Sequence, residues 1–405
     1  MKKLHSGELF WEDTIKNAEY LELNADINCD VVVIGGGISG ALIGNALIRE
    51  GLDVVVLDKR TPGYGSSDGN TGIIQYNSDM SLYEMVEEFG EKWAVDFYRF
   101  SILAMEELGN VVNYLGEDVG YKDTASLFLC NKEEDLEGMK NNFETLKKYD
   151  FPAEWIGKER LKSEYQLEAC GAMKTWKDAE LNPFKMVQEL HRDSLKNAGR
   201  VFKNAEVKRV VDNEEGFIVI ANDYFIESKF LVYATGYEEN MVKIAEPYCE
   251  RNTTFSLVTE KLDSHWGNKE MLWDSADPYV YFRFTEQNRI IAGGLDRSGT
   301  RLFGQNTIDK KSEEILEKIK MYYPNLNTKI YKAWQSIFGE SKDGIPFIGK
   351  FPDNYKKFYA LGFGGNGTCY SVMASLIIKD YILGSTHCYA YTTDLETRKN
   401  KEVKS

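Results

Sequence analysis

A basic surplus, abundant histidine and paired cysteines are all missing from this sequence. Its 405 residues hold 49 Lys and Arg against 64 Asp and Glu, a net charge of −15. Nucleic acid and anionic membrane are therefore disfavoured as main partners, because both need a basic face to offset phosphate repulsion. A local basic pocket for a small anion is still compatible. Only four histidines occur (His5, His191, His265, His387), none at metal-ligand spacing, which argues against a zinc or iron site. Six cysteines (Cys29, Cys130, Cys170, Cys249, Cys369, Cys388) are scattered without a C-x-x-C pair, the usage of reduced core thiols. No apolar run is long enough to span a bilayer; "VMASLIIKDYIL" is short and broken by charge. The start, "MKKLHSGELFWED", has lysines but no apolar run behind them and does not match a secretory signal. A cytoplasmic protein is the expectation. With 43% hydrophobic and 28% charged residues, the chain has the composition of a globular protein of one large domain or two.

Glycine carries the first chemical signal. Residues Asp30 to Ile34 read as a strand, apolar on both faces and so suited to a buried parallel sheet. A helix from about Ser39 to Glu50 follows, ended by Gly51, and then a second strand from Val54 to Leu57. In the turn of this βαβ unit, Gly35, Gly37 and Gly40 form G-x-G-x-x-G. The first permits the tight turn, the second lets a pyrophosphate approach the backbone, and the third lets helix and strand pack closely. The ligand's charge would face free N–H groups at the helix N-terminus. Asp58 ends the second strand, where an acid can hold both ribose hydroxyls; it argues against a 2′-phosphate. A second match, Gly362, Gly364 and Gly367, has no following strand or acid. It reads as a strand, a glycine turn and a helix N-terminus.

Elsewhere a helical pattern runs from Leu82 to about Leu115, and a strand then a helix occupy "ASLFLCNKEEDLEGMKNNFETLKKY". Asn182 caps a helix that begins at Pro183. A hairpin turns near Asn222-Asp223, a strand-rich block spans about Tyr279 to Gly294, and a charged helix covers about Lys311 to Met321. Phe10, Trp11 and Tyr20 in the N-terminal arm are expected to pack back onto the body, and "TRKNKEVKS" to be a solvated tail.

Six separated motifs then stand in one order: "DVVVIGGGISG…VVVLDK", "GSSDGNTG", "LVYATGY", "YFR…RIIAGG", "DGIPFIG" and "GFGGNGT". Together they resemble the D-amino-acid oxidase and glycine oxidase family of FAD enzymes, which includes sarcosine oxidase and γ-glutamylputrescine oxidase. The resemblance implies an α/β fold with a discontinuous Rossmann-type FAD domain and an inserted α+β substrate domain on a mixed or antiparallel sheet. Expected boundaries are 26–85, 183–250 and 335–390 for the FAD domain and 86–182 and 251–334 for the substrate domain. An arm (1–25) and a tail (391–405) flank them.

The resemblance also implies positions for the cofactor. Gly35, Gly37, Ile38, Ser39 and Gly40 would meet the pyrophosphate, and Asp58 and Lys59 the adenosine ribose. Gly65, Ser66, Ser67, Asn70 and Thr71 would lie along the isoalloxazine and ribityl chain. Val207 would contact adenine through its backbone, and Thr235 and Gly236 would close over the dinucleotide. The turn of Gly362, Gly364, Gly365, Asn366, Gly367 and Thr368 would aim a helix N-terminus at the flavin N1 and C2 carbonyl, where reduced flavin is anionic. The covalent-anchor positions of relatives correspond to Ser336 and Gly69, so non-covalent FAD is expected.

No second complete βαβ unit is present for a nicotinamide, so electrons should come from an organic substrate, an amine or amino acid. Oxygen or a carrier protein would reoxidise the flavin. Arg283, with Tyr279 and Tyr281 at the same strand parity, is the leading candidate to orient a substrate carboxylate. The segment "WQSIFGESKDGIPFIG" carries Phe338 near where glycine oxidases have a carboxylate-binding arginine. That departure favours a larger or differently charged amine, with Trp334 and Phe338 as pocket candidates and Lys342 as a replacement charge. Two rival readings are a flavin dehydrogenase of 2-hydroxy acids, for which His265 is a poorly placed base, and a binding subunit without catalysis.

Overall fold

Val31 to Val33 and Val54 to Leu57 are almost wholly buried, and this is why these short apolar runs become interior strands. The computed structural model describes residues 3–237, 248–263 and 270–396. In chain order its strands are β1 (His5–Gly7), β2 (Leu21–Glu22), β3 (Ile27–Ile34), β4 (Val54–Leu57), β5 (Ile73–Ile74), β6 (Lys122–Cys130), β7 (Ala153–Gly157), β8 (Gly171–Glu180), β9 (Arg200–Lys203), β10 (Val207–Asp212), β11 (Phe217–Ala221), β12 (Tyr224–Tyr233), β13 (Cys249–Thr259), β14 (Met271–Asp274), β15 (Val280–Phe284), β16 (Ile290–Ser298), β17 (Ile330–Ser341), β18 (Phe347–Phe351) and β19 (Asn354–Leu361). The helices are α1 (Ile38–Arg49), α2 (Leu82–Phe89), α3 (Glu91–Leu115), α4 (Leu136–Lys148), the single turn α5 (Lys158–Arg160), α6 (Pro183–Lys196), α7 (Gln305–Tyr322) and α8 (Gly367–Ile382).

Two sheets divide the molecule. The first is a Rossmann-type layer in which β2, β9, β4, β3, β12 and β19 run parallel, with the β10–β11 hairpin and β18 attached antiparallel. Alternation along β3 sends Val31 and Val33 into one core with α1, α6 and α8, and Val32 and Ile34 into a second core with Phe217 and Tyr359. The second sheet has the order β1-β17-β13-β16-β15-β14-β6-β8-β5 and is antiparallel except where β14 meets β6. Helix α7 covers it, burying Ile315 and Ile319 against Phe255, Leu257 and Phe282.

Three features depart from expectation. The long helical pattern is two helices, because Gly90 adopts φ +86° between α2 and α3. The N-terminal arm contributes β1, which pairs with β17 and so extends the second sheet. Strand β17 starts at Ile330, so the expected boundary at 335 falls inside a strand shared along the sheet. The first residues of the 391–405 segment pack on the body: Leu395 is buried, and the Thr393 hydroxyl donates to the Ile348 carbonyl at 3.1 Å. The remainder of that tail, 397–405, lies outside the described residues.

Candidate functional site

Where β3 ends, Gly35 takes φ +106°, and a Cβ there would stand 2.2 Å from the Ala234 carbonyl oxygen. At Gly40 a Cβ would stand 1.8 Å from the Gly35 carbonyl oxygen, so only glycine lets α1 start this close to the strand. Gly37, at the N-cap of helix α1, has no side chain to cap it, so the helix start beyond the Ile38 N–H is available to an anion. The Asp58 carboxylate accepts from Gly36 N–H at 2.8 Å and from Arg60 N–H at 2.8 Å. It thus steadies both strand ends while still lining the groove. Ser67 accepts from Ile38 N–H at 3.0 Å, tying the 65–72 loop to the helix start. The resulting groove is lined by Gly35, Gly37, Ile38, Ser39, Asp58, Lys59, Gly65, Ser66, Ser67, Asn70, Val207, Thr235 and Gly236.

A second cavity opens beside the first; Ser66, Asn70, Tyr237 and Gly367 line both. Strand β15 brings Tyr281 to it, with Tyr279 just before the strand, β16 brings Asp296, β14 brings Trp273, and β17 brings Ser336, Ile337 and Phe338. Tyr281 finds room because Gly293 stands opposite it on β16, where a Cβ would be 2.3 Å from the phenol oxygen. The Tyr279 hydroxyl donates to Asp296 at 2.8 Å. Trp273 is held by stacking on Phe128, with ring centroids 3.7 Å apart. The glycine turn Gly364 to Gly367 closes the cavity at the start of α8, and Asp79 lies against it, accepting from Gly365 N–H.

A family model described as FAD dependent oxidoreductase (DAO) matches residues 30–380. The chain belongs to that family. Among its curated relatives, γ-glutamylputrescine oxidoreductase of Escherichia coli is 23% identical over 94% of this chain and 89% of its own. Glycine oxidase of Geobacillus kaustophilus is 21% identical over 87% of this chain and 92% of its own. Among solved structures, L-proline dehydrogenase from P. horikoshii superposes with a TM-score of 0.79 at 21% identity, covering 93% of this chain and 99% of that one. Glycine oxidase from Geobacillus kaustophilus follows at 0.78 and 17%, covering 89% and 96%.

The groove of this FAD-dependent oxidoreductase fits an elongated dinucleotide. It has an acid at one end, the N-terminus of α1 in the middle and an opening into the second cavity at the other. Gly37 faces the Ser67 hydroxyl, where a Cβ would come within 3.2 Å and narrow the passage. Of the residues expected at the cofactor, Gly40, Gly362 and Thr368 line neither cavity. Gly40 serves the close packing of helix and strand, and Gly362, at φ +68°, lets the turn cross the Phe347 ring. Thr71, Gly364, Gly365 and Asn366 line the second cavity.

Arg283 requires a correction. Rather than reaching the second cavity, its guanidinium is buried and paired with Glu180 at 3.4 Å. It donates to the Thr71 carbonyl at 3.1 Å and the Leu181 carbonyl at 3.0 Å, and lies over the Trp11 ring. A buried arginine must spend its donors on protein partners, so Arg283 fastens the 65–72 loop to β8 instead of meeting a substrate. Trp334 is likewise a fastener, its indole N–H donating to the Gly69 carbonyl at 2.9 Å. Phe338 does line the second cavity, whereas Lys342 lines neither. His265 lies outside the described residues. The two covalent-anchor positions do meet: a Cβ on Gly69 would stand 2.1 Å from the Ser336 hydroxyl.

Sequence reasoning missed several supports. His191, wholly buried on α6, donates from Nε2 to the Gly36 carbonyl at 2.9 Å, and burial lowers its pKa to about 4. It is neutral and braces the glycine loop from behind. Trp11 donates to the Asn70 carbonyl at 2.6 Å, and Gln188 accepts from Ala18 N–H at 2.9 Å and donates to the Pro62 carbonyl at 3.1 Å. A lone histidine or glutamine on an amphipathic helix carries no local signal of such a role. Asp79, in the loop before α2, and Asp296, on β16, likewise stand in no motif that marks them.

Proposed function

We propose that this chain oxidises the C–N bond of an amine or amino acid to an imine, which water then hydrolyses. The observation that carries the reading is the second cavity, which opens onto the dinucleotide groove at Ser66, Asn70, Tyr237 and Gly367. FAD, when bound, would supply the hydride acceptor, with oxygen or a carrier protein as the final electron acceptor. The substrate loses a hydride from the carbon beside nitrogen, while the nitrogen lone pair forms the new C=N bond and sheds a proton. The chain's own work is to hold that C–H in place and to keep bulk water from the reacting carbon.

Aromatic walls serve that end: Trp273 is fixed by Phe128, Tyr279 by Asp296, and Tyr281 by its slot over Gly293. The turn at the start of α8 would offer N–H groups where negative charge develops on the reduced cofactor. With serine and glycine, rather than cysteine or histidine, at the Ser336–Gly69 contact, FAD would be held there without a covalent anchor. The likeness to γ-glutamylputrescine oxidoreductase and glycine oxidase supports an amine or amino acid as substrate. The test is product analysis of the holoenzyme with a panel of amines and amino acids and an artificial electron acceptor. Stoichiometric release of the carbonyl product and ammonia (or a smaller amine) from at least one panel member is expected. Oxidation of 2-hydroxy acids alone would overturn the proposal.

A further inference from the structure

We infer that the substrate of the second cavity is a carboxylate-free amine carrying an additional cationic group, of the diamine or polyamine class. The inference rests on the amine-oxidising reading above. Among the described residues, no lysine, arginine or histidine lines this cavity. Two carboxylates do, Asp79 and Asp296. Asp79 is open to the cavity yet enclosed by protein; burial raises its pKa, and the Asp296 charge raises it further. Glu340 stands close to both, and burial, then Asp79 and Asp296, push it up to about 7. Two acids in the wall, with a third close enough to repel both, form a poor environment for a substrate carboxylate and a good one for an ammonium.

A second observation points the same way. Asn77 is 5% exposed and lines the cavity, and among the described residues its Oδ1 has no hydrogen-bond partner. A buried acceptor left unpaired is costly, and a turn of the Asn77 amide toward the cavity would offer it to a ligand N–H. The aromatic side chains of Tyr237, Trp273, Tyr279 and Tyr281 complete the lining, and aromatic rings suit a cation. A metal ion is a poorer fit, since among the described residues no group of three or more His, Cys, Asp or Glu could hold one. Phe338 stands in this wall, so the cavity offers an aromatic ring where an arginine would favour an amino acid.

The chemistry requires two nitrogens of different charge. The nitrogen beside the reacting carbon must be neutral to give up its lone pair. A monoamine bound that way would leave the acids unmatched, whereas a second ammonium on the same molecule would meet them. Binding separates these cases. The holoenzyme, reduced with dithionite under nitrogen so that it cannot turn over, is titrated calorimetrically with 1,4-diaminobutane, butylamine, glycine and N-methylglycine. The diamine is expected to bind about tenfold or more tighter than the other three, and Asp296→Asn and Asp79→Asn to remove most of that advantage.

Phe338→Arg provides an independent variant that leaves both acids in place. It should weaken the diamine and strengthen glycine. Equal affinity for the diamine and butylamine, or tighter binding of glycine by the unmodified protein, would overturn the inference. Tight diamine binding to a holoenzyme whose oxidised flavin no amine reduces would instead overturn the amine-oxidising reading. Reduction by glycine without preference for the diamine would overturn the substrate class alone.

Discussion

Arg283 shows how one residue's role depends on what surrounds it. In the sequence it alternates with Tyr279 and Tyr281, and the pattern alone permits a substrate clamp. In the fold it is 4% exposed beside Glu180, with two loop carbonyls as further partners. Replacing it with methionine leaves Glu180 buried and unpaired, which should cost about 3–5 kcal/mol of stability. Urea unfolding of Arg283→Met should show that loss, and adding Glu180→Gln should recover part of it. A clamp would behave oppositely, with unchanged stability and a raised KM.

Asp68 gives a second test at this scale. Its side chain is fully buried, neither oxygen has a partner among the described residues, and burial raises its pKa to about 7. A carboxyl raised in the folded state is protonated in both states below about pH 4, and its ionisation then costs stability as pH climbs through the folded value. Asp68→Asn should therefore gain about 1–3 kcal/mol at pH 8 and close to nothing at pH 4. Thermal unfolding at the two pH values checks the sign.

Among elements, the strand–turn–helix of β3 and α1 was the most legible, because each glycine answers to a steric demand that sequence spacing reveals. Gly40→Ala would force a Cβ against the Gly35 carbonyl, pushing α1 off the strand. The variant should purify with less than about a tenth of the normal FAD content, read from the ratio of visible to ultraviolet absorbance. The helix–helix break at Gly90 was less legible, since the apolar spacing continues across it and only the positive φ ends the first helix. Strand β1 was hidden for a different reason. Three residues carry no periodicity, and their pairing with β17 lies more than three hundred residues away. The acids at the second cavity are hidden similarly: its two lining carboxylates come from the loop before α2 (Asp79) and from β16 (Asp296), nearby Glu340 comes from β17, and nothing local joins them.

At the scale of the whole molecule, two sheets meet along a groove and a cavity, and the loops at 65–72 and 362–367 belong to the seam. The parallel sheet supplies a dinucleotide site from strand ends, as open α/β sheets do. The antiparallel sheet supplies a walled chamber from alternate residues of neighbouring strands. The order of the six motifs made the first half readable, whereas the acidic lining required the assembled fold. The central claim is that these two spaces work together. Its most direct test is the visible absorption spectrum of the purified protein, recorded before and after anaerobic addition of an amine panel. The account predicts flavin bands near ~450 nm, released by acid precipitation and bleached by at least one amine. A protein that stays colourless after reconstitution with FAD, or whose bands no amine bleaches, would contradict it.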